Sequence, residues 1–457
     1  MRSHRVVGVL VVAVTLLRIA AEHADLQGAS VYPLKLSPDG TYVTDRAGQP
    51  FFMNGDTAWS LIAQLSGVDA DRYLSDRAAT GFNTILVNLL EHRFANHAPS
   101  NRAGEPPFAR PGDFTAPNPA YFANADWMIA RAGERGILVL LDALYLGYDC
   151  GNEGWCAEVK ASSTAALRMF GRYLGTRYRN VPNIVWVIGG DTDPVANGVG
   201  PHLRALVAGI RAADTTHLFT AHNGPEQSAM DVWAGESWLG LNNVYTYKNT
   251  WTKSLAERAR QGAKPLFLME SAYENEHAST PMSLRRQAYG AVLSGTTAGH
   301  LFGNCPMWHF NALTGAKFCT AGNWQDQLGS PGSATLALVG PILTSRRFHL
   351  LDPDHNHAVV TSGFESGADY ASAARARDGS SILVYLPTPR TIRVELSKLS
   401  GPLARGWWVN PGTASSTAAG EFPTSVARDF TPPDTNDWLL VLDDASLDLP
   451  APGKRRP

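Results

Sequence analysis

Two stretches of the chain each run an apolar strand into a bare carboxyl group. Asn-Ile-Val-Trp-Val-Ile-Gly-Gly-Asp at 183–191 ends on Asp191, and Pro-Leu-Phe-Leu-Met-Glu at 265–270 ends on Glu270. Val, Ile, Leu, Phe and Trp suit a pleated surface, and an unbroken apolar run fits a parallel strand covered on both faces. Two carboxyls at the carboxyl ends of two such strands, if they face each other, can hydrolyse a glycosidic bond. A separation of about 5–5.5 Å implies retention through a covalent glycosyl intermediate, and about 6.5–9.5 Å implies inversion. Asp191, beside the bare backbone of Gly189 and Gly190 and under apolar cover, is expected to be the proton donor with a raised pKa. Glu270, hydrogen-bonded by Tyr245 or Asn223, is expected to stay ionised and attack the anomeric carbon.

Other polar residues fall at strand ends and are candidates for the same face: Asp56, Glu91, His92, Asp142, His222, Asn223 and Tyr245. Of these, Asp56, His92, Asp142, His222, Asn223 and Tyr245 are taken as substrate-binding residues, together with the loop aromatics Trp59, Tyr145 and Trp308. Sugar rings present apolar C–H faces, and an aromatic ring desolvates well against them. Further loop aromatics, Trp155, Trp233, Trp238, Tyr247 and Trp251, are divided between that role and ordinary packing. No Cys-x-x-Cys pair with a nearby histidine supports zinc. Asp352-Pro-Asp-His-Asn-His resembles a calcium loop only at its start: the sixth position is His357 and the twelfth Gly363, so it is expected to be an inter-domain turn. No metal and no cofactor are expected, and neither Ser-His-Asp logic nor His-Glu-x-x-His appears.

The elements that must hold these residues alternate. Strands are expected at 51–55, 82–90, 136–141, 184–189, 217–221, 243–247, 265–270 and 299–302. Helices are expected between them at 69–80, 121–135, 163–178, 203–213, 255–261 and 281–294, with a last one at 334–343. Stop signals at Gly81 and Gly295, and Thr280-Pro281 as a cap and first turn, mark several helix ends. Eight βα units predict an α/β fold, a (β/α)8 TIM barrel over 32–345. A doubly wound open sheet would call for a glycine-rich phosphate loop after the first strand, and Asp56-Thr57-Ala58-Trp59 is not one. Past 345 the texture changes to short β-rich runs at 357–361, 380–386, 391–395, 406–409 and 438–442. These predict a small antiparallel β-sandwich over 346–448, with a disordered tail at 449–457.

At 457 residues, with 44% hydrophobic and 18% charged residues, the chain can bury a sizeable core. Its formal charge of −2 and its lack of a basic run give no footprint for nucleic acid. Arg2 and Arg5 precede an apolar run at 6–17 that is short for a membrane span, the plan of a signal peptide ending near residue 24. The mature chain is thus expected to be secreted or periplasmic, with no membrane span. An uncleaved anchor is the alternative. Four cysteines with local spacing favour Cys150–Cys156 and Cys305–Cys319 disulfides in that compartment. Oligomeric state is not legible.

Four motifs in order, Asn54-Gly55-Asp56-Thr57-Ala58-Trp59, Gly81-Phe82-Asn83, Trp186-Val-Ile-Gly-Gly-Asp191 and Met269-Glu270-Ser271, resemble those of the apiosidase-like glycoside hydrolases (family 140). The resemblance covers about 32–345. It implies a retaining barrel enzyme, with an Asp after the fourth strand as acid/base and a Glu after the seventh as nucleophile, carried here onto Asp191 and Glu270. The region after the barrel is similar to a β-sandwich labelled a collagen-binding domain, and no residue here shows collagen binding. The resulting expectation is a secreted hydrolase of plant-type polysaccharide, acting on a pectin side chain. The rivals are a non-catalytic carbohydrate- or matrix-binding protein on a barrel scaffold, and a related arabinofuranosidase or mannanase.

Overall fold

The strand at the centre of the sequence reading folds as its composition dictates. Ile184–Gly189 is buried throughout. Val185 and Val187 join a cluster with Leu86, Leu138, Leu140, Phe267 and Met269 from other strands. Ile184, Trp186 and Ile188 belong instead to the larger cluster shared with the helices. The period of two thus separates a barrel interior from a barrel–helix layer, and both faces are apolar because both are covered. Trp186 illustrates the outer layer: its ring meets Tyr178 edge-on and its Nε1 donates to Asp214 at 2.8 Å.

The computed structural model describes residues 31–453 apart from 318, 320 and 321. The expected signal peptide and residues 454–457 lie outside that range. A two-stranded hairpin, β1 (Lys35–Leu36) and β2 (Val43–Thr44), leads in. Eight parallel strands follow: β3 (Met53–Thr57), β4 (Thr84–Asn88), β5 (Leu138–Asp142), β6 (Ile184–Gly189), β7 (Phe219–His222), β8 (Asn242–Tyr245), β9 (Leu266–Glu270) and β10 (Gly299–Phe302). Their order is β7-β6-β5-β4-β3-β10-β9-β8. Side chains bridge the remaining seam between β7 and β8, where Asn243 Nδ2 donates to Thr220 Oγ1 at 3.1 Å and to the Ala221 carbonyl at 2.6 Å. The chain is a nearly closed (β/α)8 barrel, as expected.

The capping signals work as read. Ser66 caps Gly67–Thr80, which stops at left-handed Gly81, and Thr280 forms a reciprocal capping box at the start of Pro281–Val292. The expected last helix differs: it is two pieces, Pro331–Leu336 and Val339–Thr344. Pro341 has no N–H to offer the Ala337 carbonyl, which accepts instead from Asn54 Nδ2 at 3.0 Å.

Beyond the barrel, β11 (Leu351–Pro353), β13 (Ser372–Ala376), β14 (Ser381–Leu386), β19 (Trp438–Asp444), β16 (Leu403–Val409) and β17 (Ser416–Pro423) form an antiparallel six-stranded sheet. Strands β12 (Val360–Ser362), β15 (Ile392–Val394) and β18 (Arg428–Phe430) form the second sheet of a sandwich. Ile382, Val384, Ile392, Val394, Leu440 and Leu442 are among its core residues. The opposite face of the large sheet, with Leu383, Tyr385, Leu439 and Val441, joins the barrel's outer core. Tyr385 stacks on Tyr289 at 5.0 Å, and Arg285 holds Asp437 through bonds of 2.8 and 2.6 Å. The sandwich is therefore packed onto the barrel. Two expectations change here. Asp352 lies in a strand rather than a turn, the turn beginning at Asp354, whose carboxylate accepts the N–H groups of Ala358, Val359 and Val360. The tail is ordered through 453: Pro450 and Pro452 carbonyls accept from Arg346 and Ser416, and Gly453 N–H donates to Ser345.

Candidate active site

The Gly-Gly-Asp corner at the end of β6 is a forced geometry. Gly189 and Gly190 have φ of 107° and 129°. A Cβ on Gly189 would stand 2.7 Å from the His222 carbonyl oxygen, and one on Gly190 2.5 Å from Tyr145 Cδ2. Gly190 N–H donates to the same His222 carbonyl at 2.7 Å, pinning the corner to β7. Asp191 follows at φ 54°, a conformation costing a residue with a Cβ about 1–2 kcal/mol. The corner delivers its carboxyl to the barrel mouth. There Oδ1 accepts from Tyr245 at 3.1 Å and Oδ2 from Tyr145 at 3.4 Å.

Glu270 ends β9 and is 8% exposed. Its Oε2 lies 3.1 Å from Nε2 of His222. Neither Tyr245 nor Asn223, the expected partners, fills that role: Tyr245 serves Asp191, while Asn223 donates to the Ser228 carbonyl and accepts from Trp233 Nε1. Burial pushes the His222 pKa down, but the hydrogen bond and charge of Glu270, with Asp191 and Asp142 behind it, outweigh burial and hold the imidazole above its ordinary value. With its proton on Nε2 the ring donates to Glu270, and Trp59 stacks on that ring at 5.4 Å. Burial first, and the Glu270 charge second, push the Asp191 pKa up to about 6, against the opposing pull of His222 and the two tyrosines. Burial also keeps the hydroxyls of Tyr145, Tyr245 and Tyr273 protonated, as donors.

Asp191 and Glu270 line one cavity of about 440 Å³. Trp59, Tyr145, His222 and Trp308 line it with them, as the sequence reading expected. Tyr245 stands behind Asp191 as its hydrogen-bond donor. Four other expected binding residues are not brought to the cavity. Asp56 is fully buried against Arg77 at 3.1 Å and Tyr73 at 2.8 Å. His92 pairs with Glu158 at 3.0 Å and packs on Trp155. Asp142 is fully buried, accepts from Leu144 N–H at 3.0 Å and is pushed up to about 7 by burial. Asn223 is held among Ser228 and Trp233, as above. A strand-end position does not decide which way a side chain faces, and each of these turns to a partner on a neighbouring helix or loop.

Tyr247, one of the loop aromatics divided between sugar contact and packing, also lines the cavity. Several lining residues were missed. Asn88 comes from a strand end; Arg93, Phe94, Tyr148, Glu153, Tyr273, Glu276, Thr314 and Lys317 come from the segments beyond. Glu91 organises the first of these loops, one carboxylate oxygen accepting the N–H groups of His92, Arg93 and Phe94. Burial, then the Glu270 charge, push Glu276 up to about 7. The two disulfides, Cys150–Cys156 and Cys305–Cys319, form as expected, and each staples a loop that contributes to the cavity. That grouping was the available signal: Tyr148, Glu153, Thr314 and Lys317 all lie beside or between paired cysteines.

Two carboxyls of unlike environment at the mouth of a (β/α)8 barrel are what a glycosidase requires. Residues 37–349 match the family model for the apiosidase-like catalytic domain, and the chain belongs to that family. Residues 353–443 match a model described as "Putative collagen-binding domain of a collagenase". Among solved structures, one titled "Glycoside hydrolase" superposes with a TM-score of 0.80 at 24% identity, covering 91% of this chain and 98% of that one. A glycoside hydrolase family 5 protein from Bacteroides vulgatus ATCC 8482 gives the same TM-score and identity, covering 91% and 95%. No curated protein matches the chain.

Proposed function

We propose that this glycosidase is exported and cleaves plant-type polysaccharide, as an apiosidase on pectin side chains, by a retaining mechanism with Asp191 as acid/base and Glu270 as nucleophile. The observation that carries the reading is the unequal treatment of two carboxyls in one cavity: Asp191 pushed up to about 6, and Glu270 held by the His222 imidazole. In the first step Glu270 attacks the anomeric carbon, while Asp191 gives its proton to the leaving oxygen and the glycosidic bond breaks. In the second, Asp191 takes a proton from water as the water attacks the anomeric carbon. Glu270 then leaves as carboxylate and the configuration is restored. Two oxidised cysteine pairs support export, since such pairs persist outside the reducing cytosol.

The test is turnover of pectic side chains and apiofuranosides by the parent protein and by Glu270→Gln. The expected loss is about 10³-fold or more with unchanged thermal unfolding. A variant as active as the parent would remove Glu270 from the mechanism.

A further inference from the structure

Tyr148 is 61% exposed and lines the catalytic cavity. Its hydroxyl has no hydrogen-bond partner, and its ring meets no other aromatic ring, among the described residues. Tyr247, the other exposed tyrosine of the cavity, is engaged: its hydroxyl lies 3.5 Å from that of Tyr245 and its ring lies against His277. Tyr148 is thus a free ring at the wall of the cavity, and the backbone around it is unusual. The next two residues, Asp149 and Cys150, are both left-handed, with φ of 48° and 60°. Each costs about 1–2 kcal/mol in a residue with a Cβ.

The loop is nonetheless fixed. Asp149 N–H donates to the Asp191 carbonyl at 3.0 Å, and Cys150 N–H donates to Thr192 Oγ1 at 2.6 Å. Asn197 Nδ2 donates to the Asp149 carboxylate at 3.0 Å, and Tyr148 N–H donates to Glu153 at 2.7 Å. Cys150–Cys156 closes the loop. Gly154 packs so tightly under it that a Cβ there would stand 2.1 Å from the backbone nitrogen of Gly147. The position of the Tyr148 backbone is thus tied to the backbone of Asp191. Strained, unpartnered and rigidly held residues beside a reacting group are where binding geometry is built in advance.

Because Asp191 protonates the leaving oxygen, the loop bonded to it borders the leaving-group side of the scissile bond. We propose that Tyr148 is a specificity-determining residue that stacks on the leaving group. The substrate class is then a glycoside whose leaving group is itself a sugar ring, presenting its C–H face to the tyrosine. This rests on the assignment of Asp191 as acid/base.

The test compares two substrates with the same transferred sugar. One is an apiofuranosyl fluoride, whose leaving group has no ring; the other is an apiose-terminated disaccharide. For Tyr148→Ala the ratio of kcat/KM, disaccharide to fluoride, is expected to fall about 10-fold, chiefly through KM, and Tyr148→Phe is expected to keep it. Loss of folded protein scales both substrates equally and leaves the ratio alone. An unchanged ratio in Tyr148→Ala overturns the proposal. The assignment beneath it is checked separately by Asp191→Asn. That variant is expected to release a burst of about one fluoride per enzyme and to keep kcat/KM on the fluoride, because the first step then needs no proton, while losing kcat/KM on the disaccharide; equal loss of kcat/KM on both would count against Asp191 as the acid.

Discussion

Asp56 and Asp191 are both buried aspartates at the ends of barrel strands, and burial pushes both up to about 6. Their company differs. Asp56 has a buried cation, Arg77, which it shares with Asp76, and the Tyr73 hydroxyl, and Arg77 in turn reaches Ser333 and the Leu328 carbonyl. That cluster ties β3 to the helix Gly67–Thr80 and to the segment from Leu328 to Ser333, with Asp56 fully buried and outside the catalytic cavity. Asp191 has another acid, Glu270, acting across a cavity, and two tyrosine hydroxyls bonded to its carboxyl. A raised pKa therefore does not by itself separate the proposed working acid from the structural one. The neighbour does: a buried acid matched by arginine is neutralised in place, whereas one set against a second acid keeps a proton to give.

That contrast can be broken from either side. The largest effect expected is on turnover: Asp191→Asn lowers kcat on sugar leaving groups by about 10²- to 10⁴-fold, the range a general acid supplies. The same variant is expected to unfold at a higher temperature than the parent above pH 6. The sign follows from the raised pKa. The favourable contribution of Asp191 is complete below its unfolded value of 3.8 and is lost as pH rises through about 6, so removing the charge restores it. Arg77→Met should do the opposite, costing about 3–5 kcal/mol of stability in chemical denaturation because Asp56 is left buried and unpaired. Adding Asp56→Asn should recover much of that loss. The smallest effect is a pH shift: the basic limb of kcat/KM should begin near pH 6 rather than near 4, as Asp191 loses its proton. A limb at the ordinary carboxyl value would mean that burial and Glu270 do not act on it.

Much of this arrangement was legible in the chain. Apolar runs and helix caps gave the eight βα units, and β6 has the bounds its composition suggested. The Gly-Gly-Asp corner was readable because only glycine fits against His222 and Tyr145. The sandwich strands Ser372–Ala376 and Ser416–Pro423 were not, because Ala, Ser and Gly carry little strand signal and are held by their neighbours' pairing. The fates of Asp56, His92 and Asn223 were hidden for a different reason. Their partners, Arg77, Glu158 and Trp233, are brought to them by folding. His222 as the partner of Glu270 required two strands 48 residues apart to be set face to face.

The central claim is that Glu270, and not Asp191, bonds to the sugar. Treatment with a 2-deoxy-2-fluoro-apiofuranosyl fluoride slows the second step enough to trap a glycosyl-enzyme, and peptide mass mapping locates it. The adduct is predicted on the peptide carrying Glu270. An adduct on the Asp191 peptide, or an inverted product with no adduct, would contradict the account.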